Sequence, residues 1–119
     1  MRRDPKAYLW DAHEAIDAIL EFTSDRSVED FQQDLMLRSA VERQLEIVGE
    51  ALNQLSRRNQ DLANRIPDLG QVVAFRNILV HGYATLDPGR VWLIIHESLP
   101  GLQETIDRLL EEAPPNSNT

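Results

Sequence analysis

Apolar residues recur at three- and four-residue intervals along nearly the whole chain, with no two-residue alternation of the strand type. That period restricts the chain to packed helices. Asp4-Pro5 reads as an N-cap followed by proline at the first helical position, where an N–H has no intrahelical partner to lose. Tyr8, Ala12, Ala15, Ile16, Ile19 and Leu20 then form a stripe ending near Phe22. Ser27 is a second N-cap candidate, with Glu29 and Asp30 where the helix dipole favours acids. A helix or helix pair follows to about Arg58, with apolar positions at Phe31, Leu35, Leu37, Val41, Leu45, Val48, Leu52 and Leu55. Gly49 in this stretch costs about 1 kcal/mol relative to Ala, which a close neighbouring helix or a subunit contact would explain. Asn59 to Asp68 is the main connection, because Pro67 forbids uninterrupted helix.

A third helix is expected from Asp68 or Gly70 through Val72, Val73, Phe75 and Leu79, with Gly82 as its stop. Asp87-Pro88 repeats the cap-plus-proline start and opens a helix carrying Val91, Trp92, Ile94 and Ile95. Pro100 should kink or split it, with Ser98 able to cap a continuation through Leu102, Ile106, Leu109 and Leu110. The stretch 113–119 is small, polar and proline-containing, and reads as a disordered tail. The expected fold is all-α: one domain over residues 1–112, built as an up-down bundle of four or five helices.

Composition narrows the chemistry. At 119 residues the chain can bury a core without metal or disulfide support. It has no cysteine, which excludes thiolate chemistry, disulfides and cysteine-based zinc sites. No signal-peptide core follows the basic start, and no apolar run approaches the roughly 20 residues that span a bilayer. A soluble cytoplasmic protein without a membrane partner is therefore expected. The net charge of −8 argues against broad electrostatic capture of nucleic acid. The imbalance is uneven, however: between residues 57 and 90 five arginines face three acids. Lys6 is the one lysine among twelve basic residues, so forked contacts are favoured over a diffuse positive field.

The densest chemistry lies in Arg76-Asn77-Ile78-Leu79-Val80-His81-Gly82-Tyr83. Arginine fits phosphate oxygens with a planar fork of donors, and histidine exchanges protons near neutrality. Taken singly, each residue has a plain structural use: a helix-terminal histidine, a salt-bridged arginine, a packed tyrosine. His13 and His96 lie within or beside apolar stripes and read as structural, and neither Asp11-x-His13-Glu14 nor His96-Glu97 has a matching partner that would make a metal site. No metal or cofactor is expected. At ~100° per residue, Arg76 and His81 point about 140° apart on one helix, whereas Asn77 and His81 share a face. Two copies about a two-fold axis would gather both groups in one cleft, so a homodimer with a shared site is expected.

The spacing R-x4-H-x-Y, with Asn after the Arg, resembles the signature of HEPN-type ribonuclease toxins of the HepT group. Residues 40–51, A-V-E-R-Q-L-E-I-V-G-E-A, are similar to that family's central helix, and residues 91–100 are similar to the segment after its motif. The local departure is Pro67-Asp68-Leu69, where relatives often carry tryptophan after the proline. The resemblance implies a homodimeric HEPN bundle with Arg76 and His81 catalytic on an RNA substrate. Asn77 would orient either His81 or the phosphate. It also implies a cognate nucleotidyltransferase antitoxin of the MntA type, which would silence the toxin by transferring AMP to Tyr83. Two alternatives compete: a non-enzymatic helical subunit that partners a nucleotidyltransferase, and a simple dimerisation bundle.

Overall fold

The computed structural model describes residues 4–81 and 87–112. Among them are seven helices and no strand: α1 (Pro5–Thr23), α2 (Val28–Gln33), α3 (Leu35–Arg58), α4 (Gln60–Ala63), α5 (Leu69–His81), α6 (Pro88–Glu97) and α7 (Leu99–Glu112). The all-α expectation is met. The expected tail at 113–119 and the stop at Gly82 lie outside the described residues.

Local chemistry sets most helix ends. Asp4 caps α1 by accepting from the Lys6 N–H at 2.9 Å, with Pro5 opening the helix. Ser27 and Asp30 form a reciprocal capping box at α2: Asp30 N–H donates to Ser27 Oγ at 3.1 Å, and Ser27 N–H to Asp30 Oδ2 at 2.9 Å. The Ser27 N–H, and after it the Ser27 hydroxyl, donate to the Asp30 carboxyl and hold it below its ordinary range, because both bonds favour the charged form. The stretch from Ser27 to Arg58 is a helix pair, broken at Asp34. This residue ends α2 in extended conformation and caps α3 through its carboxylate, which accepts from Leu37 N–H at 3.0 Å.

Pro67 sits in the connection, with Asp68 in left-handed conformation (φ 61°), which an aspartate tolerates better than most residues. Asp87 caps α6 through Gly89 N–H at 3.2 Å. The split before Pro100 falls at Ser98, which closes α6 while its carbonyl accepts from Leu102 N–H at 3.1 Å.

The core is the set of stripes read above. α1 lies along α3, α5 packs on α3, α7 packs on α1 and α6, and α2 packs on α6. Leu9, Ala12, Ile16 and Ile19 of α1 meet Val41, Leu52 and Leu55 of α3, closed by Phe31, Ile95 and Ile106. Full burial of the Leu, Ile, Val and Phe side chains among them stabilises by about 1.5–3 kcal/mol each. Thr23 is buried because its hydroxyl donates to the Ile19 carbonyl at 2.9 Å. Leu35 departs from the stripe: as the first residue of α3 it is 66% exposed. No described helix is long and apolar enough to cross a membrane.

Helix α5 is the exception to burial. Val72, Phe75 and Leu79 only lean on the core, and no residue of the helix is buried. Ile78 and Val80 are 47% and 46% exposed. A helix apolar on most of its circumference is ordinarily enclosed. Here one flank lines a largely apolar groove of about 720 Å³ with Leu45, Val48, Ile94 and Leu102.

Candidate active site

The other flank of α5 borders a second groove, of about 700 Å³, whose floor is one face of α3. Arg43, Glu46, Ile47, Glu50, Ala51, Gln54 and Arg58 follow three- and four-residue spacing along that face. Tyr8 and Asp11 of α1 form one wall, Arg76 and Val80 of α5 the other. Three guanidinium groups and three carboxylates thus share one solvent-open channel.

Arg76 is seated from its backbone outward. A Cβ built on Gly49 would overlap the Cβ of Arg76 and come within 2.7 Å of its Cγ, so a glycine is what lets α5 approach α3 there. That answers the helical-glycine puzzle with a neighbouring helix of the same chain. Beyond this contact the guanidinium is held by polar groups. Its Nη2 donates to Glu50 Oε1 at 2.8 Å, and its Nη1 donates to Asn77 Oδ1 at 2.9 Å. Glu50 is itself steadied by Gln54, whose Nε2 donates to Oε2 at 3.0 Å. The Nε of Arg76 is buried without a hydrogen-bond partner. The side chain as a whole is 25% exposed, so its tip reaches solvent from a fixed base.

His81 lies exposed in the last turn of α5, outside the lining of this groove. The chain therefore brings Arg76 together with Asn77 and Glu50, and carries His81 on the same helix at a different angle. The carbonyl oxygen of Asn77 is turned to Arg76. Tyr83 lies outside the described residues.

The other histidines have separate surroundings. His13 stacks on Trp10 with ring centroids 5.0 Å apart. Its Nδ1 is 2.7 Å from Asp107 Oδ1 of α7, close but not aligned as a hydrogen bond, and its Nε2 is 3.6 Å from Asp17. His13, Glu14 and Asp17 place ligand-type atoms within 4.8 Å of one another. This cluster faces α7 rather than α5, and it joins two helices whose pairing no sequence spacing announced. His96 Nδ1 lies 2.9 Å from the Trp92 carbonyl within its own helix.

An all-helical bundle with an R-x4-H helix laid across its longest helix has the architecture of the HEPN class. The chain belongs to the Ribonuclease HepT-like family, whose model matches residues 12–109. It is 36% identical over 118 residues to "Gamma-glutamylcyclotransferase and putative RNase MJ0434" of Methanocaldococcus jannaschii, covering 99% of this chain and 53% of that protein. The chain thus spans about half the length of that relative. It is 35% identical over 108 residues to "Putative RNase MJ1380" of the same organism, covering 89% of this chain and 96% of the relative. A third, "Probable ribonuclease HepT" of Thermococcus cleftensis, is 36% identical over 109 residues, 92% of this chain and 98% of that protein. No solved structure matches the chain.

Sequence reasoning singled out Arg76, Asn77, His81 and Tyr83 but gave no role to Glu50 or Gln54. A signal existed: Glu46, Glu50 and Gln54 recur every four residues beside an otherwise unexplained glycine.

Proposed function

We propose that this chain is the toxin of a toxin–antitoxin pair, a cytoplasmic, metal-independent endoribonuclease that works as a homodimer on cellular RNA. The observation that carries the reading is Arg76, a guanidinium fixed beside a solvent-open groove on the helix that bears His81, in a Ribonuclease HepT-like chain. The dimer is supported by the unenclosed apolar surface of α5 and by the angle between Arg76 and His81. A second copy across a two-fold axis would cover the former and relieve the latter.

In the shared cleft Arg76 holds the scissile phosphate and offsets charge growing on its non-bridging oxygens. One neutral imidazole takes the proton from the ribose 2′-hydroxyl as that oxygen attacks phosphorus. A protonated imidazole from the second copy returns a proton to the departing 5′-oxygen. The products are a 2′,3′-cyclic phosphate and a 5′-hydroxyl. Internal attack requires no activated water, and the 2′-hydroxyl makes RNA the substrate. Positioned acid–base catalysis gives roughly 10²- to 10⁴-fold, and each preorganised charge-stabilising donor about 10²- to 10³-fold. Silencing is carried over from the resemblance to the family, since Tyr83 lies outside the described residues. An AMP group on Tyr83, transferred by a nucleotidyltransferase antitoxin, sets a phosphodiester anion and a base two residues from His81, where it competes for Arg76.

The test is RNA cleavage by purified protein in chelator. Wild type is expected to release fragments that His81→Ala and Arg76→Ala do not. Equal cleavage by wild type and His81→Ala removes His81 from the mechanism. AMP transfer to Tyr83 without RNA loss under any condition points instead to a non-enzymatic partner subunit.

A further inference from the structure

We infer that Glu50 is a positioning residue: its carboxylate sets the orientation in which Arg76 meets the scissile phosphate. The inference rests on the reading of Arg76 as the phosphate-holding group. Four restraints converge on that side chain. Its stem lies against α3 where Gly49 leaves room. Its Nε is buried. Its Nη1 is tied to Asn77, and its Nη2 to Glu50 at 2.8 Å. Of these restraints, only Glu50 comes from a second helix and carries a charge.

Glu50 is suited to the task by its own support. Gln54 holds Oε2 at 3.0 Å, one turn further along α3, leaving Oε1 directed at Arg76. Both residues belong to a rigid helix whose opposite face is the core, so the carboxylate has a fixed origin. The guanidinium has five N–H donors. With Nε enclosed and one bond made by each terminal nitrogen, one N–H on each terminal nitrogen is left for a ligand. A phosphate can therefore be held without Glu50 leaving. An arginine without this tether has many rotamers and would have to order itself on every encounter with substrate.

The alternative role for a carboxylate at this place is competition, in which Glu50 occupies Arg76 until RNA displaces it. The two roles predict opposite signs. Positioning makes kcat for RNA cleavage fall in Glu50→Ala, on the order of 10²-fold for a misplaced contact group. The isosteric Glu50→Gln keeps an acceptor oxygen and is expected to fall less. The melting temperature is expected to stay close to wild type in both, because Glu50 is 44% exposed and exposed ion pairs contribute little to stability. A gain in activity in either variant would establish competition and overturn the inference. So would unchanged kcat, or a loss that only tracks unfolding.

A second readout does not depend on activity. Rotation about the Cζ–Nη bonds of Arg76, followed by ¹⁵N NMR with Arg76→Lys for assignment, is expected to be slow in the wild type, fast in Glu50→Ala and intermediate in Glu50→Gln. Indistinguishable rotation would overturn the inference even in a protein that cleaves RNA. Released rotation in a protein that cuts no RNA would uphold the positioning and dismiss the ribonuclease reading instead.

Discussion

Gly49→Ala is the most decisive single perturbation of this fold, because two known effects oppose each other there. Alanine is better than glycine in a helix interior by about 1 kcal/mol. The added methyl, however, would overlap the Cβ of Arg76 and lie 2.7 Å from its Cγ. Carbon atoms pack at about 3.5–4.0 Å, so α5 must retreat from α3 by on the order of 1 Å. The obstructing atoms are the stiff base of a side chain, which no rotamer change removes. Overpacking of this kind costs about 1–3 kcal/mol; taking the upper end and subtracting the helix gain leaves a net loss of ~2 kcal/mol. For a domain of this size that lowers Tm by about 8 °C. Gly101→Ala is the control, since nothing lies within 4 Å of a Cβ there and only propensity acts. Thermal unfolding followed by circular dichroism reads both variants. The same displacement moves Arg76 off Glu50, so RNA cleavage should fall more steeply than the remaining folded fraction. Gly49→Ala as stable as wild type, or more so, would refute the close approach of the two helices.

Other outcomes follow from the packing and the titrating groups. Phe31→Ala removes a fully buried ring and should destabilise by about 3–5 kcal/mol in urea unfolding. Leu35→Ser should change stability by less than about 0.5 kcal/mol, since this side chain is outside the core despite its place in the stripe. The Asp30 carboxyl is depressed, so its contribution is complete above its ordinary value of 3.8 and is lost as pH falls through the folded value; Asp30→Asn should flatten the acid limb of the stability curve. Glu42 is the reverse case: partial burial raises its carboxyl, so stability declines as pH rises from its ordinary value of 4.5 through the folded value. Glu42→Gln should therefore gain in Tm over wild type at neutral pH and lose that gain in acid.

The helices were legible where their causes are local. Asp4-Pro5, Ser27, Pro67 and Asp87-Pro88 mark boundaries because capping bonds and proline sterics act within three or four residues. The stripe positions from Tyr8 to Ile19 and from Val41 to Leu55 are buried as their period implies. Leu35 misled because a period says which face a residue is on, not whether another element covers it. The same holds for α5, whose Val72, Phe75 and Leu79 follow the helical period and only lean on the core.

The motif drew attention to Arg76 and His81, while the partners of Arg76 were invisible in any linear pattern. Glu50 and Gly49 lie far from Arg76 in sequence and meet it only through the packing of α5 on α3. His13 and Asp107 meet in the same way, through the packing of α7 on α1. By itself the sequence determined helical class, helix ends, the main core stripes and which residues could do chemistry. These depend on interactions within a turn or two of one chain segment. Only the tertiary structure decided what each of those residues faces, because contacts between distant segments depend on how whole helices cross, and no local rule encodes that.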